Sequence, residues 1–240
     1  MSMHSISRIS SVLVVVLVST VACSTPYGWV AYPEASKLEA LTAEEWRADV
    51  EFLRAELPER NPHFREDAAM AAAFDTEADG LLATIDADAA PGDMIAGISR
   101  LLAVVGEGHT SLNTYPSSYF PVVAAWFEDG LYVAGVDRED ADIVGSRITG
   151  IRDAAGTKIG LSELEPILNS VISADHENGY RPSHGQVLAD PYLMRGLGLA
   201  SETGLTYILD REGSPLVRTV AEKPGTELDI VRAHEDAPNE

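Results

Sequence analysis

Arg100-Leu-Leu-Ala-Val-Val-Gly-Glu-Gly-His-Thr-Ser-Leu-Asn-Thr-Tyr115 is where the chain changes character. An apolar run at helical spacing breaks at Gly106-Glu-Gly108, and His109-Thr-Ser-Leu112 restarts with a different pattern. Two glycines around one residue admit backbone angles that a residue with a Cβ resists, so the chain can reverse here. His109 and Thr110 are then expected to open a strand. Upstream of the turn the pattern is helical, and downstream it reads as strands and turns. The expected fold class is α+β, a small N-terminal helical bundle followed by a mixed β/α domain.

Working back from the turn, Pro91-Gly-Asp starts a helix with Met94, Ile98, Leu101, Leu102 and Val105 on one face. Before it, Met70, Phe74, Ala78, Leu81, Leu82 and Ile85 mark another helix, slightly weakened by Gly80. Thr42-Ala-Glu-Glu45 is a capping box, and Trp46, Val50, Leu53 and Leu57 follow at helical spacing, with an end expected near Pro58. Asn61-Pro-His-Phe64 reads as a turn. Three amphipathic helices with one apolar face each should pack together.

Working forward, Pro121 to Phe127 and Leu131 to Val136 flank Glu128-Asp-Gly130, the strongest hairpin signal in the chain. Val144 to Ile151 is a further strand candidate, followed by a turn at Asp153-Ala-Ala-Gly156 and a short strand at Thr157 to Ile159. Ser162-Glu-Leu-Glu165 reads as a second capping box, with Ser162 as cap, opening a helix that carries Leu164, Ile167, Leu168, Val171 and Ile172. The stretch from Ser173 to Asp190 is polar and loop-like, and Tyr192 to Leu199 is a short apolar helix. Leu205 to Asp210 should pair with Leu216 to Val220. The last dozen residues are acidic, unpatterned and expected to fray.

The 240 residues are 45% hydrophobic and 23% charged, an ordinary globular balance. The first 22 residues differ. Arg8 is their one fixed charge, and Val12-Leu-Val-Val-Val-Leu-Val18 has the length of a signal-peptide core, too short to span a bilayer. Cys23, the sole cysteine, follows Thr20-Val-Ala and resembles the lipidated cysteine of a bacterial lipobox, although Thr20 replaces the usual bulky aliphatic residue. An exported protein cut nearby without lipidation is the alternative. One cysteine allows no internal disulfide. The net charge of −21 argues against nucleic acid and anionic membrane surfaces as partners, leaving a lipid anchor as the membrane attachment.

No His-Glu-x-x-His pair, Gly-x-Ser-x-Gly elbow, phosphate-binding glycine loop or dinucleotide fingerprint is present. The six histidines are dispersed, so spacing supports no metal site, and no cofactor is expected. A Ser/His/Asp triad assembled from distant residues stays open. Trp46, Trp126 and Phe127 read as core residues, and His63, His176 and His184 as solvated loop residues.

Gly106-Glu-Gly-His-Thr110 and Phe127-Glu-Asp-Gly-Leu-Tyr-Val133 are the most specific of a series of features, with the Trp46 helix, Asn61-Pro-His63, Gly145-Ser-Arg-Ile-Thr-Gly-Ile151 and Glu177-Asn178. In this order they resemble the leading half of tail-specific, C-terminal-processing serine peptidases, over roughly Leu41 to Val220. The strand, turn, strand and helix from 144 to 172 also resemble the middle of a PDZ-like domain, in which a strand and a helix frame a groove for an extended peptide. The resemblance implies a helical region, a PDZ-like segment and then a catalytic core using a Ser-Lys dyad, with no metal or organic cofactor.

A lysine base must be desolvated beside its serine to lower its pKa. The three lysines are Lys37 in the tether, Lys158 four residues before Ser162, and Lys223 in a Lys-Pro-Gly turn read as solvated. None matches the dyad, so no catalytic residue is assigned and the catalytic core is expected to be absent from this chain. Gly106, Gly108, His109 and Thr110 are expected to be a structural turn beside a cleft. The expected organisation is a signal peptide (1–22), a tether (23–41), a helical bundle (42–108), a PDZ-like β-rich domain (109–225) and a flexible acidic tail (226–240).

The expected function is the non-catalytic leading region of an exported serine-peptidase-family protein, lipid-anchored on the periplasmic or outer face of a bacterial membrane. The alternative is a self-contained periplasmic lipoprotein module that binds a peptide or a protein C-terminus. Cys23→Ala should move the protein from the membrane fraction to the soluble fraction. Unchanged partitioning would rule out lipidation at that position.

Overall fold

The computed structural model describes residues 41–114 and 116–233, so the leader, Cys23, Lys37 and the acidic residues 234–240 lie outside the described residues. Four helices come first: α1 (Ala43–Arg60), α2 (His63–Glu66), α3 (Ala68–Thr84) and α4 (Pro91–Ala103). The Thr42 capping box forms as expected, with the Glu45 N–H donating to Thr42 Oγ1 at 3.2 Å and the Thr42 N–H to Glu45 Oε2 at 2.8 Å. Asp67 caps α3 by accepting from the N–H groups of Ala69 and Met70 at 2.9 Å each. Trp46, Val50, Leu53 and Leu57 of α1, Phe74, Ala78 and Leu81 of α3, and Met94, Ile98, Leu101 and Leu102 of α4 share one apolar core.

Two boundaries differ from expectation. α1 runs through Pro58 to Arg60: the proline N–H bond to the preceding turn is lost, but burial of Leu57 and the Asn61 N–H bond to the Leu57 carbonyl at 2.9 Å hold the last turn. The turn expected at Asn61-Pro-His-Phe64 continues into the single helical turn of α2, with Phe64 set edge-on to Phe74 at 4.9 Å between centroids.

The rest of the described chain is β1 (Ser118–Tyr119), β2 (Val122–Phe127), β3 (Gly130–Asp137), β4 (Arg147–Arg152), β5 (Lys158–Gly160), α5 (Leu161–Asn169), α6 (Arg181–Ala189), α7 (Pro191–Gly196), β6 (Leu205–Arg211), β7 (Ser214–Val220), β8 (Lys223–Pro224) and β9 (Ile230–Arg232). The fold is α+β. All pairings are antiparallel, in the order β2-β3-β4-β6-β7 with β5 added to β4 and β9 to β3, while β1 and β8 form a separate pair. Both expected hairpins form, and the second turns tightly through Glu212 (φ 53°) and Gly213 (φ 84°). Leu131, Val133, Ile148, Ile151, Tyr207 and Leu209 face a second core that Leu164, Leu168, Leu188 and Met194 cover from the helices.

Four further expectations are corrected here. His109 and Thr110 do not open a strand: the described residues 110–114, 116 and 117 have no ladder partner, Pro116 has no N–H, and pairing starts at Ser118. Ser162 does not cap α5, which begins one residue earlier, with the Gly160 N–H donating to Glu163 Oε2 at 3.0 Å. The polar stretch before Asp190 contains a helix, α6. The described part of the tail expected to fray, residues 226–233, adds β9 to β3, pairing Val231 with Val136, while Asp229 accepts from Arg138 Nε at 2.6 Å.

The two cores meet where α7 crosses α4. Gly92 and Gly196 bring the two backbones into direct contact, since a Cβ on Gly196 would sit 2.0 Å from the Gly92 carbonyl oxygen. Leu193 of α7 packs against both cores. Gly196→Ala should therefore destabilise the protein by about 1–3 kcal/mol or more, because the clash is with backbone and cannot relax through a side chain. Gly80→Ala, where a Cβ meets nothing within 4 Å, should stabilise by about 0.5–1 kcal/mol. Urea midpoints of both variants provide the check.

Candidate functional site

The two-residue link Glu128-Asp129 makes Phe127 and Gly130 a hydrogen-bonded pair, and the register then makes Ala125 and Tyr132 the next one. The N–H and C=O groups of Ala124 and Trp126 therefore point away from β3. Among the described residues no strand pairs with that side, so β2 is an edge of the described sheet. Ala124 and Trp126 place their side chains on the inner face, toward α5 and α6. Phe127 points to the outer face and is 53% exposed, set edge-on to Tyr132, so it is not the core residue expected. Trp46 is core, and Trp126 is half-buried.

α6 lies along this edge. Gly185 rests on the Ala124 carbonyl, where a Cβ would come within 2.4 Å of the oxygen. The neighbouring His184, expected to be solvated, is fully buried. The Trp126 indole N–H donates to His184 Nδ1 at 3.0 Å, and His184 Nε2 lies 2.7 Å from Asn169 Oδ1 at the end of α5. An indole nitrogen can only donate, so Nδ1 is the unprotonated nitrogen and Nε2–H donates to Asn169. One neutral imidazole thus ties β2, α5 and α6 together. Burial pushes its pKa down to about 4, the nearby Glu165 opposing that and Arg181 adding to it.

At the start of α6, the Arg181 guanidinium lies 4.1 Å over the Trp126 ring and its Nε donates to Glu165 Oε1 at 2.8 Å. Between this end of the helix and the strand edge is an open cleft of about 460 Å³ lined by Ala124, Ala125, Trp126, Asn178, Arg181 and Pro182. It combines an open strand edge, an aromatic wall and one cation.

The turn that drew attention in the sequence is placed elsewhere. Gly106 takes φ 65°, and the Glu107 and Gly108 N–H groups donate to Ser173 Oγ at 2.8 Å and Asp175 Oδ1 at 3.2 Å. Buried Thr110 closes the turn through its hydroxyl to Glu107 Oε2 at 2.5 Å, and His109 is exposed. The turn thus fastens the end of the helical half to residues 173–175, shortly before Asn178 of the cleft.

Lys223 is not the solvated turn residue expected. Its ammonium donates to buried Asp137 at 2.8 Å and lies 2.9 Å from Glu139, and these two carboxylates push its pKa up, opposite to what a lysine base needs. Lys158 and Ser162 are both exposed. His63 and His176 are exposed as expected. Among the described residues no group of three or more His, Cys, Asp or Glu is placed to hold a metal ion, and no helix is long and apolar enough to cross a membrane.

Asn169, Arg181 and His184 were not singled out as site residues from sequence. The signal available was Pro182 at the first turn followed by His184, Val187 and Leu188 at helical spacing. No family model matches this chain, and no curated protein matches it.

The neutral His184 has a pH consequence. Its pKa is about 4 in the folded chain against an ordinary 6.5, so between those values the unfolded chain binds a proton that the folded chain does not. Stability should be unaffected by this residue above pH 6.5 and fall by about 3 kcal/mol as pH drops to 4. His184→Gln can accept from Trp126 and donate to Asn169 without titrating. Thermal melts across that range should show a shallower slope for this variant than for the wild type.

Proposed function

We propose that this chain supplies the non-catalytic leading region of an exported, lipid-anchored serine-peptidase-type protein, a small helical bundle followed by a PDZ-like unit, and that it holds an extended peptide or protein C-terminus. The observation that carries the reading is the open edge of β2 facing α5 across the inner side of the sheet, with a cleft left open at its Trp126 end. An extended peptide adds to such an edge through main-chain hydrogen bonds, and adjoining pockets select its side chains. Trp126 offers one outward N–H and C=O pair and an aromatic wall. Arg181 offers a cation for a terminal carboxylate in exchange for Glu165, a charge-assisted and directional contact.

The lysine environments support a binding role without hydrolysis. Lys223 is held charged by Asp137 and Glu139, and the Lys158 side chain is exposed. The high negative charge favours ligands whose binding does not depend on a polyanion.

A fluorescein-labelled pool of hexapeptides with free C-termini tests this on the full chain. No turnover is expected. Binding should be weak, with Kd on the order of 0.1–1 mM, and about tenfold weaker when the pool is C-terminally amidated. Turnover lost in Ser162→Ala or Lys158→Ala with the fold intact, or no carboxylate-dependent binding at all, would overturn the reading.

A further inference from the structure

We infer that α6 is a displaceable plug lying in the groove between β2 and α5, so that the chain keeps most of its own peptide site closed until the start of this helix lifts; the inference rests on the peptide-binding reading above. The outward-facing main chain of Ala124 and Trp126 is what an incoming strand would pair with. At Ala124 that position is already taken by Gly185, whose lack of a side chain lets the helix lie directly on the strand's carbonyl. A helix beside a strand edge covers its polar groups without completing a ladder, whereas an extended peptide there would form one. The occupant is therefore a poorer partner for the strand than the ligand it excludes.

The two ends of α6 are held unequally. At its C-terminal end the Phe120 N–H bonds to the Ala189 carbonyl at 3.0 Å. The following Asp190 is buried, caps α7 through the Tyr192 and Leu193 N–H groups and accepts from the Thr114 hydroxyl at 2.6 Å. At its N-terminal end no side chain caps the helix, and the cleft already separates it from the strand. Arg181 is the polar contact there, stacked on Trp126 and paired with Glu165, with its side chain 52% exposed, next to Tyr180, which is partly buried against the core. Between the ends, the His184 bonds to Trp126 and Asn169 act as the latch.

The helix is also weak in itself. It has nine residues, Arg-Pro-Ser-His-Gly-Gln-Val-Leu-Ala, with glycine at the centre, and a segment of this length and composition is not stable as an isolated helix. Its helicity comes from the groove, and it belongs to the class of elements that open locally before the core does. Opening would hinge at Asp190, raising Arg181 and His184 off Trp126 and uncovering the edge from Ala124 to Trp126.

Two variants bias the opening by different means. Asn169→Ala removes one bond of the His184 latch and leaves the Arg181 cation for the ligand, and Gly185→Ala sets a methyl against the Ala124 carbonyl while strengthening the helix intrinsically. Hydrogen exchange of the full chain, read by mass spectrometry, should show amides of 183–188 exchanging through an opening that leaves β3 protected, and faster in both variants. The free-C-terminus hexapeptide pool should bind both variants about tenfold or more tightly than wild type, as expected when a minor open state becomes populated. Exchange of α6 only together with β3 would overturn the plug. Equal affinity for wild type and both variants would also overturn it while leaving the peptide reading intact. Local opening of α6 with no binding by any of the three proteins would overturn the peptide reading instead.

Discussion

Contact between two glycine backbones sets the frame of this molecule. Where α4 and α7 cross at Gly92 and Gly196, the helical half and the β half touch at a distance that no side chain would allow. This crossing explains why α4 is buried on almost all sides: α3 packs on one face and α7 on another. It also explains why α7, a helix of six residues, is well defined, since it is wedged between two cores and capped by Asp190. With α7 fixed, the start of β6 and the end of α6 are fixed too, and the sheet is oriented against the helices. The Gly106–Thr110 turn supplies a second fastening through Ser173 and Asp175.

The polar interactions that matter lie under this frame. Most ion pairs are on the surface, such as Arg54 with Asp75 and Asp79 or Arg60 with Glu56, and contribute little each. Two arrangements are different. Asp137, almost fully buried, is satisfied by Lys223 and by the N–H groups of Glu139 and Asp229, which together fasten β3 to the chain entering β9. His184 joins β2, α5 and α6 through two hydrogen bonds and stays neutral because burial disfavours its charged form. The first is a static clamp between a full charge pair. The second is a neutral bridge whose two partners lie on different elements, and so it can be broken without stranding a buried charge.

Local chemistry was readable wherever the signal depended on a few consecutive residues. The Thr42 box, the Asp-Gly hairpin and the Pro91 start depend on caps and φ values that belong to single residues, and all form as expected. Ser162 is not the cap because Gly160 and Glu163 also satisfy the pattern of an N-terminal cap, and the carboxylate bond to the Gly160 N–H prevails. α6 is short, mixes polar and apolar residues evenly and carries a central glycine, and what makes it helical is a groove contributed by β2 and α5. The candidate site was less legible than the fold for the same reason. Trp126, Asn169, Arg181 and His184 come from three separate elements, and none belongs to a motif.

The sequence by itself determined the division into a helical and a β-rich half, the apolar positions that α1 and α3 bury, the two hairpins and the small number of lysines. These follow from periodicity, turn chemistry and composition, which act over short range. Tertiary structure decided that β2 is an edge, that His184 is buried and neutral instead of solvated, that Lys223 is ion-paired, and that the expected fraying tail completes β3. Each of these depends on which distant segment arrives beside a residue, and no local pattern encodes that. The turn at Gly106–Thr110 shows both levels: its reversal was evident from two glycines, but its role as a fastening came only with Ser173 and Asp175 placed against it.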